Sequence, residues 1–397
     1  MKTAIYVHVP FCLQRCAYCD FNTYSGLLSL RLEYVDVLRQ EIRHRAALYS
    51  EIEATTLYFG GGTPSLLPPD TVGAVIGDVA QHFNLSSDAE ITLEANPGAV
   101  DAASLSALRA AGVNRLSLGV QSAHDDELRM LGRVHTWDEA VRAVQAARQA
   151  NFDNVSADLI YGLPGQTLSR WEATLARVLA LEPQHLSLYA LTLEPETPLA
   201  QAVDAGKLPS PDPDLAADMY ERASEVLCEA GLWQYEISNW ARGLHPPETI
   251  WTLPLDGETE AIGPWVSHHN LVYWRNQPWL GLGAGAYSWL RGHRWSNTRH
   301  PVDYIAEGQA GRWTETDAET ITPTLERSET LMRGLRLAEG VSDAHFHARF
   351  EVSLNEAYGD TIAQLSTAGL VEWDGLRLRL RTRGRLLGNQ VFGAFLP

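Results

Sequence analysis

Apolar positions along the first half of the chain fall into short, dense runs that alternate with longer stretches of helical spacing. Ala4-Ile5-Tyr6-Val7-His8-Val9 is the first such run. The runs predict strands over residues 4–9, 55–59, 90–94, 115–120, 154–160 and 185–191. The stretches between them predict helices over 31–49, 69–83, 101–111, 137–150 and 168–181. Asp101 stands where a helix would open and Gly112 where it would stop. Six strand–helix units in succession imply a parallel sheet in an α/β fold, curled into a partial (β/α)6 barrel. Residues 1–240 are expected to form this core.

Most residues able to do chemistry follow directly on a predicted strand. Gly60-Gly61-Gly62-Thr63-Pro64 follows the second, Glu94 and Asn96 close the third, Gln121 ends the fourth, and Asp158 lies near the end of the fifth. Parallel βα barrels carry their active sites on this C-terminal rim. The periodicity breaks over 244–267, where Pro246-Pro247, Asp256-Gly257-Glu258 and Gly263-Pro264 mark an irregular insertion within a linking segment 241–300. Helical spacing returns over 323–337, 342–350 and 354–368. Strand runs at 370–374 and 376–380 then flank Asp374-Gly375, a hairpin signal. Residues 301–397 therefore read as a small helical, winged-helix-like domain.

Composition narrows the classes. The net charge is −18, with 31 basic and 49 acidic residues, which argues against a nucleic-acid partner. The alternating Arg377, Arg379, Arg381, Arg383 and Arg385 read as the solvent face of a strand. No apolar run is long enough to span a membrane. Eight of the twelve tryptophans fall between Trp233 and Trp295, as core and rim aromatics or as a surface for a flat apolar ligand.

Cys12, Cys16 and Cys19 form a C-x3-C-x2-C loop directly after the first strand. A closed structural zinc site needs four N or S donors, so zinc would require a distant histidine. A disulfide framework fits poorly with four cysteines in 397 residues, three of them in one loop. A [4Fe–4S] cluster held by three thiolates leaves one iron open to another ligand. No basic, apolar leader precedes the loop, so a reducing cytoplasm is expected. Cys228, in a helical stretch, is expected to be a buried small hydrophobe.

The loop His8-Val9-Pro10-Phe11-Cys12-Leu13-Gln14-Arg15-Cys16-Ala17-Tyr18-Cys19-Asp20-Phe21 resembles that of the radical SAM superfamily. The resemblance implies a cluster on Cys12, Cys16 and Cys19 whose open iron is chelated by S-adenosylmethionine. It further implies that Gly61, Gly62 and Thr63 hold the methionine amino end. Glu94 would bind the amino group or ribose, and Gln121, Arg133 and Asp158 the ribose and carboxylate. Tyr6 would stand beside the cluster and Tyr18 against the adenine.

Asp158-Leu159-Ile160-Tyr161-Gly162-Leu163-Pro164-Gly165-Gln166-Thr167 and Gly119-Val120-Gln121-Ser122 are similar to stretches of the oxygen-independent coproporphyrinogen III dehydrogenases and their relatives. Two departures point away from the dehydrogenase branch. Phe21 stands where that branch has a further cysteine, and eleven residues precede Cys12. His269-Asn270-Leu271-Val272-Tyr273-Trp274 is similar to the H-N-x-x-Y-W signature of the heme chaperone branch, HemW. That resemblance implies heme binding by His269, Asn270, Tyr273 and Trp274, with His268 as a rival iron ligand. It also implies acceptor proteins, some of them membrane-associated, a bacterioferritin-type heme donor, and a homodimer. No catalytic residue is assigned. The alternative is oxidative decarboxylation of coproporphyrinogen III in porphyrin biosynthesis, and a radical reaction on another substrate stays open.

Overall fold

The computed structural model describes residues 1–243 and 263–397. The chain divides into two compact units. The first comprises residues 1–226, 279–290 and 294–318, the second residues 227–278, 291–293 and 319–397.

In the first unit, β1 (Lys2–Val9) leads into β2 (Phe11–Cys12) and β3 (Tyr24–Ser25), a short parallel pair. There follow α1 (Arg31–Leu48), β4 (Glu53–Gly61), α2 (Pro69–Phe83), β5 (Glu90–Ala95), α3 (Ala102–Ala110) and β6 (Arg115–Gln121). Next come α4 (Asp125–Met130), α5 (Trp137–Gln149), β7 (Asn154–Tyr161), α6 (Leu168–Leu179), β8 (His185–Ala190), α7 (Pro198–Asp204) and α8 (Pro213–Glu229). β1, β4, β5, β6, β7 and β8 lie side by side in that order, and each neighbouring pair is parallel. The six expected strand–helix units are all present, with ends shifted by one or two residues.

The helices form where local chemistry satisfies their first amide groups. Asp101 accepts from the Ser104 amide at 2.7 Å, and Thr136 and Glu139 cap α5 reciprocally. Val72, Val75, Ile76, Val79 and Phe83 line one stripe of α2 and are buried. Each fully buried side chain of this size contributes about 2 kcal/mol.

After α8 the chain forms the antiparallel pair β9 (Leu232–Glu236) and β10 (Asn239–Arg242), then α9 (His268–Trp274), all in the second unit. It returns to the first unit as β11 (Trp279–Leu282), β12 (Tyr287–Leu290), β13 (His293–Asn297), α10 (Pro301–Gln309) and β14 (Glu315–Thr320). β11 adds to β1 in parallel, and β12, β13 and β14 continue that edge of the sheet. The sequence reading contained no strands here. They are only four to six residues long, too short for a clear alternation to develop. A Cβ on Gly281 would lie 2.2 Å from the Tyr287 carbonyl oxygen, so this hairpin closes only on glycine. Trp279, Trp289 and Trp295 are buried in it as core aromatics, whereas Trp251 lies outside the described residues.

The rest of the second unit holds α11 (Pro323–Gly334), β15 (Val341–Ser342), α12 (Asp343–Phe350), α13 (Leu354–Thr367), β16 (Val371–Trp373), β17 (Arg377–Leu380), α14 (Thr382–Leu386) and α15 (Gly388–Gly393). β15 and β16 both pair antiparallel with β17. Leu331, Leu335, Phe346, Leu354, Leu378 and Phe395 are among the side chains of its core. Cys228 corrects the sequence reading: it is exposed. Met219, Ala223 and Leu227 recur every four residues on the buried face of α8, and the next residue turns outward. Most of the expected insertion at 244–267 lies outside the described residues.

Candidate functional site

Strand alternation builds the first site. Ile5, Val7, Leu57, Phe59, Leu93 and Leu159 point into the helical layer and are fully buried. Their neighbours Tyr6, Tyr58, Glu94 and Asp158 face the other way and are half-buried. Register aligns them: Tyr6 is opposite Tyr58, Tyr58 opposite Thr92, Glu94 opposite Ser117 and Asp158 opposite Ser187. The result is a continuous polar inner face.

Glu94 is the most constrained group on it. Its Oε1 accepts from the Tyr58 hydroxyl at 2.8 Å and its Oε2 from the Gly61 amide at 3.1 Å. Burial pushes its pKa up to about 7; nearby Asp158 adds to the rise, and the Tyr58 and Gly61 hydrogen bonds oppose it. Burial also raises the Asp158 pKa, against hydrogen bonds from Ser187, Ser117 and Ser156 and the charge of Arg115. The Ser117 hydroxyl lies 3.0 and 2.9 Å from the two Asp158 oxygens. Sequence reasoning does not single out those small hydroxyls; only Ser156 stands two residues from Asp158, and strand register brings Ser117 and Ser187 to it.

The glycine run holds the start of the cysteine loop. The Gly62 amide donates to the Val9 carbonyl and that of Thr63 to the Phe11 carbonyl, each at 2.8 Å. A Cβ on Gly62 would sit 2.6 Å from the Phe11 oxygen, and one on Gly61, whose φ is +111°, 2.4 Å from the His8 ring. His8 was also missed. Its Nδ1 lies 3.0 Å from the Tyr6 hydroxyl, and its Nε2 lies 2.9 Å from the Asn22 carbonyl just beyond the loop.

All three loop cysteines are half-buried free thiols. The Thr63 hydroxyl lies 3.7 Å from Cys12 Sγ, that of Thr23 3.8 Å from Cys19 Sγ, and an Arg133 guanidinium nitrogen 3.3 Å from Cys16 Sγ. Burial raises the Cys12 pKa, and the neighbouring Cys19 and Cys16 add to it. Among the described residues, no three His, Cys, Asp or Glu side chains converge on one ion. Three free thiols on one loop, each beside a hydroxyl or guanidinium group, suit a cluster held by three thiolates.

Arg133 also donates to the Gly119 carbonyl at 2.8 Å, and its Nε is buried without a hydrogen-bond partner. Burial raises the Tyr18 pKa, against the charge of Arg133. Gln121 has φ +65°, and its Oε1 is likewise buried and unpartnered. Open donors, open acceptors, two carboxylates and a glycine cradle suit a zwitterionic sulfonium nucleoside. The residues present thus fit both a three-thiolate cluster and S-adenosylmethionine. Tyr6, Gly61, Gly62, Thr63, Glu94, Gln121, Arg133 and Asp158 all belong to this rim or its inner face.

The second candidate site lies wholly in the second unit. Ser267 caps α9 by accepting from the Asn270 amide at 3.3 Å. His269 is 1% exposed, and its Nε2 lies 3.0 Å from the Tyr273 hydroxyl, one helical turn on. The two rings meet edge to face with centroids 5.1 Å apart. Burial raises the Tyr273 pKa, against the charge of Arg333. Trp274 is half-buried beneath the Arg336 guanidinium, 4.3 Å from its ring centroid. Asn270 and His268 are half-buried.

A radical SAM superfamily profile matches residues 6–178, and a HemN C-terminal domain profile matches residues 321–387. Among curated proteins, the chain is 36% identical to the heme chaperone HemW of Bacillus subtilis, covering 100% of this chain and 99% of that one. It is 36% identical to a mitochondrial radical S-adenosyl methionine domain-containing protein 1 of Mus musculus, covering 100% of this chain and 88% of that one. Among solved structures, the radical SAM enzyme coproporphyrinogen III oxidase (HemN) of Escherichia coli superposes with a TM-score of 0.83 at 24% identity. It covers 99% of this chain and 89% of that one.

Proposed function

Because the chain belongs to the HemW family of radical SAM proteins, we propose that it binds heme and delivers it to acceptor proteins. The observation that carries this reading is end-to-end similarity to several HemW chaperones, at 33–38% identity, joined to the His-Asn-x-x-Tyr-Trp helix α9. We propose that Cys12, Cys16 and Cys19 hold a [4Fe–4S] cluster. Tyr6, Tyr18, Gly61, Gly62, Thr63, Glu94, Gln121, Arg133 and Asp158 then surround S-adenosylmethionine, while His269, Asn270, Tyr273 and Trp274 serve heme. When bound, the cluster and cofactor supply one-electron chemistry or a ligand-dependent switch. The residues of this chain bind and orient them: Glu94 and Asp158 offer negative charge to the ammonium and ribose, and Arg133 offers positive charge to the carboxylate.

Phe21 supports the chaperone reading over propionate decarboxylation. It stands where the resemblance to the dehydrogenases would require a further cysteine, and it is 65% exposed. Free thiols support a reducing, cytoplasmic setting, and no helix among the described residues is long and apolar enough to cross a membrane. A protein donor such as a bacterioferritin, and a homodimer, belong to the same proposal.

The test is anaerobic reconstitution of the cluster, followed by heme titration and by incubation with coproporphyrinogen III, S-adenosylmethionine and a reductant. Stoichiometric heme binding without protoporphyrinogen formation is the expected result. Protoporphyrinogen formed over many turnovers would overturn it.

A further inference from the structure

β6 ends in a strained turn. The Ser122 amide donates to the Val120 carbonyl at 2.9 Å across Gln121, which carries a left-handed φ of +65°. A glutamine in this conformation persists only where its surroundings over-determine it. The side chain of the strained residue ends in a buried oxygen with no partner.

The residue that follows it, Ser122, is tied to Glu127 on α4. The Ser122 hydroxyl accepts from the His124 amide at 3.0 Å and donates to Glu127 Oε2. Glu127 is buried, and it also takes Gln166 Nε2 at 3.3 Å and Arg170 Nε at 2.9 Å. Gln166 Oε1 in turn accepts from the Gly162 and Leu163 amides at 2.9 and 3.3 Å. One carboxylate therefore fastens the loop after β6 to the loop after β7. The other end of the short helix meets the cysteine loop, where the Leu131 carbonyl accepts from the Ala17 amide at 2.9 Å. Gly132, at φ +70°, passes so close that a Cβ there would lie 2.9 Å from that amide nitrogen. Arg133 follows directly, spanning Gly119 and Cys16.

We propose that Glu127 is a positioning residue: through Ser122 it holds Gln121 in its left-handed turn and so aims the Gln121 amide at the cofactor. This rests on the S-adenosylmethionine part of the reading above. A clamp that only stabilised the fold would leave no reason for the residue at its centre to carry strain and an open acceptor together. Ser122, Gln121 and Gln166 all lie within stretches recognisable in the sequence. Glu127 does not, and only the fold brings it to them.

The experiment is a double-mutant cycle on the cluster-reconstituted full chain, read by equilibrium dialysis of S-adenosylmethionine and by iron per chain. Glu127→Gln and Gln121→Ala are each expected to weaken cofactor binding about tenfold, the worth of a hydrogen bond to a charged or oriented partner. The double variant is expected to bind no more weakly than Gln121→Ala alone, with iron content unchanged throughout. Equal weakening by Glu127→Gln in both backgrounds, or none in either, would overturn the proposal. If Glu127→Gln does not fold, Ser122→Ala breaks the same link with a smaller change and must show the same dependence on Gln121. Failure of the unaltered protein to bind the cofactor would sink the functional reading itself, a separate outcome.

Discussion

The rim around Gly61 and Gln121 and the helix that carries His269 are built on opposite plans. The rim gathers residues from loops and strands spread over more than 150 positions, and it keeps strain and unpaired polar atoms at its centre. Helix α9 presents its residues from seven consecutive positions, and its histidine is already bonded to its own tyrosine. The first arrangement is set before a ligand arrives, with the cost carried by the surrounding sheet and helices. The second is locally satisfied, so iron ligation through His269 Nε2 has to displace the Tyr273 hydroxyl. A cofactor that stays in place suits the first plan, and a cargo that must be released suits the second.

Removing the cluster is the harshest way to break this comparison. Cys16→Ser should drop iron from about four atoms per chain to near none. Heme affinity should stay close to that of the unaltered protein, since the described residues of α9 lie in the other unit. Iron assay beside heme titration checks both. Loss of heme binding together with iron would show that the two regions act as one.

Glu94 offers the next largest effect. With a pKa of about 7 against an ordinary 4.5, it binds its proton more tightly in the folded state than in the unfolded chain. Protonation therefore stabilises the fold, and that stabilisation is lost as pH rises from 4.5 through 7. The loss is on the order of 3 kcal/mol once complete. Glu94→Gln should accordingly raise the melting temperature of the cofactor-free protein at pH 8 and change it little at pH 5. S-adenosylmethionine, whose positive groups favour the ionised carboxylate, should bind more tightly as pH rises toward 7 and then level off. Glu94→Gln should bind it more weakly and without that slope. A slope that survives the substitution would assign the titration to another group.

His269→Ala should weaken heme binding by at least about tenfold, equivalent to roughly 1.4 kcal/mol, and leave iron per chain unchanged. Tyr273→Phe sharpens the point. Phenylalanine keeps the apolar ring that serves heme and removes only the hydroxyl bonded to His269, so heme binding should tighten a few-fold, the worth of one neutral hydrogen bond. An unaltered heme spectrum in His269→Ala would move the ligand elsewhere, with His268 the next to replace.

The two plans also explain what could be read from the chain. α9 was legible as a motif because its residues are adjacent, yet nothing in the spacing revealed that His269 is buried against Tyr273. The rim was legible through its strand ends, since Glu94 closes one predicted strand and Asp158 lies near the end of another. Its supports were not. His8, Ser117 and Glu127 look like ordinary polar residues until register and helix packing bring them to Gly61, Asp158 and Ser122. The strands of 279–297 escaped because they are four or five residues long, too short for an alternating pattern to develop. Cys228 was misjudged because one step along a helix is a turn of about 100°, enough to exchange core for solvent.

The smallest effect tests how far α9 depends on its local frame. A seven-residue helix is too short to be stable alone, so its shape rests on its cap and its packing. Ser267 supplies the cap through its hydroxyl, and its own amide donates to the Tyr235 hydroxyl at 3.2 Å. Ser267→Ala removes the first bond and leaves the second, which should cost about 1 kcal/mol of stability. The cost falls on the fold with or without heme, so heme affinity should fall by less than about fivefold, and less than in His269→Ala. Calorimetric melting paired with heme titration separates the two quantities. A heme loss larger than that of His269→Ala would mean that helix geometry, rather than the imidazole, carries the binding, and α9 would then be as preorganised as the rim.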